Sequence, residues 1–176
     1  MKKNIKIAIS GKSGCGNSTV SRLVAQRLGL RMINYTFHTI AEEKGMDFEE
    51  LCRLAEEDAS WDHYLDTRQI GLASEGGCVL GSRLAVWLLK DADLKVFLDA
   101  PPELRAKRIH QREGGSYADV CRQTVERDSR DRARYLRLYN IDNSEYGFVD
   151  LVIDTSGFTP EEIAGQIAAK AAAAKK

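Results

Sequence analysis

Hydrophobic and polar positions along the chain follow two periods. Residues 5–10, IKIAIS, form a β-branched apolar run ending at Gly11, the pattern of a short buried strand. After the turn GKSGCGNS, Val20, Leu23, Val24 and Leu28 recur at helical spacing until Gly29. RMINY (31–35) reads as a second strand, GCVLGS (76–82) as a third, LKVFLDA (94–100) as a fourth and FVDLVIDTS (148–156) as a fifth. Between the second and third, residues 37–73 are helical and acidic. Gly45 interrupts them, and Asp47 is placed to cap the next helix, with Glu50 three residues on completing a capping box. Between the fourth and fifth come an amphipathic helix around 102–113, a break at Gly114–Gly115 and an arginine-dense helix from about 116 to 137. A last helix follows Pro160 and fades into an alanine-lysine tail.

Strands that alternate with helices imply a parallel sheet covered on both faces, an α/β fold of about five strands. No internal repeat or proline-rich linker divides the chain, so one domain is expected over residues 1–176. Its core falls at about 1–36, 76–113 and 138–176, with helical excursions at about 37–75 and 114–137.

Composition narrows the class. The 176 residues are 43% hydrophobic and 30% charged, which excludes a disordered chain or a collagen-like fibre. No apolar run approaches the ~18–20 residues of a spanning helix. The N-terminal lysines precede too short an apolar stretch for a signal peptide, so a cytoplasmic protein is expected. Twenty-six basic and 26 acidic side chains cancel, against a protein that coats nucleic acid by bulk charge. Cys15, Cys52, Cys78 and Cys121 make no C-x-x-C pair and read as small core residues or free thiols in a reducing compartment. Three histidines, His38, His63 and His110, are too few for a histidine-rich metal site, and Trp61 and Trp87 read as fillers of core or hinge gaps.

The turn after the first strand carries the clearest chemistry. Gly11, Lys12, Ser13, Gly14, Cys15, Gly16, Asn17 and Ser18 fit the phosphate-loop frame G-x-x-x-x-G-K-[ST], with Asn17 where lysine belongs. Glycines there let backbone N–H groups curl around phosphate oxygens, and the helix N-terminus adds its positive end. Ser18, followed by Thr19, sits where a hydroxyl ligates Mg²⁺, and Asn17 offers a hydrogen bond without charge. Cys15, near a helix N-terminus, is either an alkylable thiol or simply a small residue where bulk is not tolerated.

A second element is the run ERDSRDRARYLRLY, with Arg127, Arg130, Arg132, Arg134 and Arg137. Arg127, Arg130 and Arg134 share a helical face, with Asp131 adjacent. Alone, such a run is also compatible with a solvated helix paired to Glu126, Asp128 and Asp131. A phosphate-binding loop in the same chain favours guanidiniums that grip phosphate. Arg105, Arg108 and Arg112 on the preceding helix remain open between the two roles.

These elements together resemble the cytidylate kinase family, in its compact archaeal-type form. The resemblance is carried by ISGKSGCGNSTVSRLVAQRLGL, AEEKGMDFEELCRLAEED, LDTRQIGLASEGGCVLGSRLAVW, DLKVFLDAP, RDSRDRARYLRLYNID and DLVIDTS, from Ile5 to about Ser156. It implies a P-loop nucleoside monophosphate kinase fold and transfer of the ATP γ-phosphoryl to CMP or dCMP with Mg²⁺. The expected partners are small nucleotides, with no nucleic acid or membrane, and the expected state is a monomer. The 37–75 excursion becomes the acceptor-binding insertion and 114–137 the lid. The family's R-D-x-x-D-x-x-R falls on Arg127, Asp128, Asp131 and Arg134, which would close over the phosphates and exclude water. Arg83 after the third strand would hold the monophosphate, with Arg130 and the other lid arginines on the acceptor and the transferred group. Asp66, Arg68 and Gln69 would flank the acceptor nucleotide.

Three positions depart from the family pattern. Asn17 replaces the loop lysine, Gly81 stands where an acid of the third strand holds the Mg²⁺ water shell, and His38 stands where an arginine grips the acceptor phosphate. Two rival expectations accompany them: a P-loop kinase of another small acceptor such as a nucleoside, and a nucleotide-binding protein with weak or lost chemistry. An RNA-binding role for the arginine helix has little support, since only Tyr135 and Tyr139 offer aromatic faces.

Overall fold

The computed structural model describes residues 4–173. In chain order the elements are β1 (Lys6–Gly11), α1 (Asn17–Leu28), β2 (Arg31–Ile33), α2 (Phe37–Lys44), α3 (Phe48–Glu57), α4 (Ser60–Ser74) and β3 (Cys78–Gly81). Then come α5 (Ala85–Leu88), β4 (Leu94–Asp99), α6 (Pro102–Glu113), α7 (Tyr117–Tyr139), β5 (Leu151–Asp154) and α8 (Pro160–Ala173). The five strands pair in the order β2-β3-β1-β4-β5, every pair parallel.

Alternation along β1 explains the two layers. Ile7 and Ile9 face α1 and α8, packing with Val20, Val24, Val96, Leu98, Ile163 and Ile167. Ala8, between them, faces the other side with Leu80 of β3, Ala73 of α4, Ala85 and Val86 of α5 and Leu89 just after it. Both faces of the strand are apolar because both are covered. Trp87 packs in this second layer, edge-on to Phe97 and Phe148, and Trp61 packs against Tyr35, Ile40 and Leu51, both as filler residues.

Several boundaries differ from expectation. β2 ends at Ile33 because Thr36 turns the chain into α2, its hydroxyl accepting from Thr39 N. That capping box is Thr36–Thr39. At α3, Asp47 caps alone: Oδ1 accepts from the Glu49 and Glu50 N–H groups at 2.9 and 3.0 Å. The fifth strand begins only at Leu151, since the Val149 N–H to Tyr146 carbonyl bond makes the preceding residues a turn. The Asp154 side chain bends it out again by accepting from Ser156 N. The arginine helix runs on to Tyr139, and the α5 turn had no signature in the sequence pattern. The last three residues of the expected alanine-lysine tail lie outside the described residues.

Candidate phosphoryl-transfer site

The C-terminal ends of β1 and β3, the start of α1, the α2–α4 excursion and α7 surround one cavity of about 620 Å³. The glycine loop forms its floor. Gly14 has φ +85°, and a Cβ there would lie 2.7 Å from the Arg105 carbonyl oxygen, so only glycine lets the loop pack on α6. Of the expected loop residues, Gly11, Lys12, Ser13, Gly14, Gly16, Asn17, Ser18 and Thr19 line the cavity. Cys15 does not. It is buried beneath the loop, where burial pushes its thiol up to about 11, in keeping with a small core residue rather than an alkylable thiol.

Asn17 is committed to the protein itself. Its amide donates to the carbonyls of Ile9 (3.1 Å) and Ser82 (3.3 Å), and its Oδ1 accepts from Ser21 Oγ (2.9 Å). The expectation that this side chain donates to phosphate gives way to a cross-link between the ends of β1 and β3. Gly81 belongs to the same arrangement. A Cβ there would collide with Ser21 Oγ, lie 2.8 Å from Ser21 Cβ and 3.1 Å from Asn17 Oδ1. The third strand therefore has no room for an acid.

Above the loop stands a ring of cations, most with a carboxylate partner. Arg83 meets Asp131 at 2.5 Å. Burial holds the Asp131 carboxyl above its ordinary range, with Arg83 opposing the shift. Arg134 reaches across from α7 to Asp62 of α4 through Nε (3.0 Å) and Nη2, tying the two helices together. Arg127 donates to Ser13 Oγ (3.2 Å), tying α7 to the loop. Arg130 is exposed and does not line the cavity. At ~100° per residue, Asp131 and Arg134 fall about 40° and 20° either side of Arg127. Arg130 lies about 60° away, on the side turned from the cavity.

One residue left open by the sequence holds this end together. Arg105 is 1% exposed and clamps Asp128 through Nη1 and Nη2 (3.1 and 2.6 Å) while donating to the Ser13 and Ala100 carbonyls. Arg108 similarly donates to Gly14 O and Thr155. Both arginines are structural clamps on the loop. Arg112 reaches the cavity rim while paired with Glu113.

The far wall is formed by α4 and the turn from β2 into α2. Asp62, Asp66 and Gln69 lie on one face of α4 at i, i+4 and i+7 and line the cavity with Asn34, Tyr35, Thr36, Phe37 and Tyr135. Gln69 is buried and donates to the Tyr35 carbonyl at 2.8 Å. Burial pushes the Asp66 carboxyl up to about 6, against a 2.5 Å hydrogen bond from the Tyr139 hydroxyl. Two expected acceptor residues lie elsewhere: His38 stacks on Phe48 at 3.6 Å between ring centroids, and Arg68 is exposed above the Tyr35 ring. Asp62 and Tyr135 were missed. The one signal for Asp62 was its place one helical turn before Asp66.

Among the described residues no group of three His, Cys, Asp or Glu side chains could hold a metal ion, and no helix is long and apolar enough to cross a membrane. A Mg²⁺ ion arriving on a nucleotide fits the remaining donors, since this ion keeps several waters and phosphate oxygens and needs few protein ligands. The Ser18 hydroxyl on the cavity floor is the group that would meet it.

Comparison with known proteins agrees with this geometry. The chain is 49% identical over 163 residues to cytidylate kinase 2 of Borreliella afzelii, covering 90% of this chain and 92% of that protein. It is 41% identical over 164 residues to the cytidylate kinase of Pyrococcus horikoshii, covering 92% and 85% respectively. The fold matches a shikimate kinase from Bacteroides thetaiotaomicron with a TM-score of 0.66 at 13% identity, over 96% of this chain and 98% of that one. It also matches a deoxyadenosine kinase from M. mycoides with bound dCTP, with a TM-score of 0.55 at 16% identity, over 96% and 100%. The profile of the cytidylate kinase-like family matches residues 6–157, and the chain belongs to that family.

Proposed function

We propose that the protein transfers the γ-phosphoryl group of ATP, carried in with Mg²⁺, to CMP or dCMP, giving ADP and the nucleoside diphosphate. The observation that carries this is the single cavity with the glycine loop at one end, the α4 carboxylate and amide face at the other, and Arg83, Arg127 and Arg134 between them. Cytidylate kinases at 41–49% identity support the choice of acceptor.

Loop backbone N–H groups and the α1 N-terminus receive the donor phosphates. The Ser18 hydroxyl would hold the Mg²⁺ brought in with the nucleotide, an ion that would supply neutralisation of phosphate charge. Arg83, Arg127 and Arg134 take the acceptor phosphate and the transferred group, Arg83 and Arg134 exchanging their carboxylate partners, and Arg127 the Ser13 hydroxyl, for phosphate oxygens. No covalent intermediate is needed, since positioning and charge neutralisation carry most of this reaction. Asp66 and Gln69 present oxygens toward the acceptor base, where a cytosine amino group donates and a uracil carbonyl repels. One chain lines the whole cavity, so a monomer is sufficient.

The test is turnover of ATP and Mg²⁺ against a panel of nucleoside monophosphates and nucleosides, with each product identified. Diphosphate formed chiefly from CMP or dCMP is expected. Product from a nucleoside alone would replace this acceptor assignment, and nucleotide binding without product from any acceptor would refute the transfer reaction.

A further inference from the structure

The seventh position of the glycine loop ordinarily brings a lysine to the β- and γ-phosphates. Here that position is Asn17, uncharged and held by Ile9, Ser82 and Ser21. Gly81 leaves the space that Ser21 and Asn17 occupy, so the loop end, α1 and β3 are built together around a side chain that faces the sheet. Backbone amides and a helix N-terminus give only about half a unit of positive charge, against a triphosphate of about four negative charges. The loop needs a cation from another position.

Lys12 is the lysine that lines the cavity among the described residues. It also lines the adjoining recess formed by Gly11, Arg83, Asp128 and Asp131, on the lid side of the loop. Its contact there is loose. The ammonium lies 3.8 Å from Asp128 Oδ2, whereas Arg105 holds the same oxygen at 2.6 Å. Asp128 is therefore already neutralised by a buried guanidinium, and little holds Lys12 to it. Its side chain is 30% exposed and has four rotatable bonds, so the ammonium is free to move onto a phosphate oxygen. The arginines differ in this respect: Arg83 and Arg134 have close carboxylate partners, and Arg127 approaches from the lid.

We infer that Lys12 is a catalytic residue, taking over from the second position of the loop the phosphate-neutralising charge that Asn17 lacks. The inference rests on the phosphoryl-transfer reading above. Its consequence is a loop in which the structural and electrostatic duties of the usual lysine position are divided between two residues.

The experiment uses the full chain as parent, Lys12→Met, Lys12→Gln and Lys12→Arg. Steady-state kcat and KM for ATP are measured with CMP, and equilibrium affinities for ATP and AMP, each with Mg²⁺, by calorimetry. Thermal midpoints of all four should agree within a few degrees, because Lys12 lies in a partly exposed loop. Both neutral variants should lose about 100-fold or more in kcat, with Lys12→Arg recovering part of it. Neutral variants within threefold of the parent in kcat would overturn the inference. If the parent makes no diphosphate from any acceptor, the transfer reading fails first, and the affinity ratio of ATP to AMP then decides. A drop of about tenfold in that ratio on removing the charge supports Lys12 as a phosphate ligand, and an unchanged ratio refutes it.

Discussion

Replacing Asn17 by alanine separates two accounts of the loop. In the structure this side chain makes three hydrogen bonds, to Ile9 O, Ser82 O and Ser21 Oγ, at 2.9–3.3 Å. Both carbonyls keep another donor, the Ser82 N–H on Ile9 O (3.2 Å) and Ser10 Oγ on Ser82 O (2.9 Å), so alanine leaves one buried group without its partner, the hydroxyl of the 0% exposed Ser21. Each unsatisfied buried group costs about 1–3 kcal/mol. Loss of the two extra carbonyl contacts adds to this and rotation of the Ser21 hydroxyl offsets it, so the total is about 1–3 kcal/mol. For a domain of this size 1 kcal/mol moves the midpoint by about 2–4 °C, so Asn17→Ala should melt about 2–12 °C lower. Thermal unfolding followed by circular dichroism, with kcat and KM for ATP measured well below the transition, reads both effects. The expected result is a clear loss of stability with KM for ATP changed by less than about tenfold. An unchanged midpoint together with a collapse of ATP affinity would refute the reasoning, because it would place the Asn17 amide on phosphate.

Arg134→Ala should lower kcat by about 10³-fold or more if this guanidinium meets the moving phosphoryl; unchanged turnover in a steady-state assay would remove it from the site. Arg105→Ala takes away a buried guanidinium and leaves Asp128 with only the 3.8 Å contact to Lys12. The expected cost is about 3–5 kcal/mol, measured by denaturant unfolding, and a loss below 1 kcal/mol would contradict the clamp. Asp66 has a folded-state pKa of about 6, above its unfolded value, so the stability it contributes is present below about pH 4 and lost as pH rises through 6. Asp66→Asn should therefore be more stable than the parent at pH 8, by at most about 3 kcal/mol, and the gap should close by pH 4. Parallel stability–pH curves for the two proteins would show that burial does not strain this carboxylate.

The parts of the fold legible in the sequence are those written in short windows. Alternation in IKIAIS, the glycine turn after it and the 3.6-residue period of TVSRLVAQRL each specify an element from within about ten residues. Four of the five strands appear near their read positions, while β5 is cut short by a turn whose hydrogen bonds the apolar pattern of FVDLVIDTS does not encode. In the site, the loop and the pair Arg127 and Arg134 were legible, because one is a turn motif and the other a helical spacing. His38 and Arg68 were assigned from position in a family pattern, and their ring contacts with Phe48 and Tyr35 turn them elsewhere.

By itself the sequence determined the order of elements, the parallel sheet, the phosphate-binding turn and the family, since these follow from local period, glycine placement and motif. Tertiary structure alone decided what each charged side chain faces. Arg105 and Asp128 are 23 residues apart, Arg83 and Asp131 48, Arg134 and Asp62 72, and Arg127 and Ser13 114. Charges solvated in an extended chain carry no mark of their eventual partners. Only when α7 and the α2–α4 segment pack over the sheet does burial make an unpaired charge costly, and that cost selects which guanidinium meets a carboxylate and which cation is left loosely held.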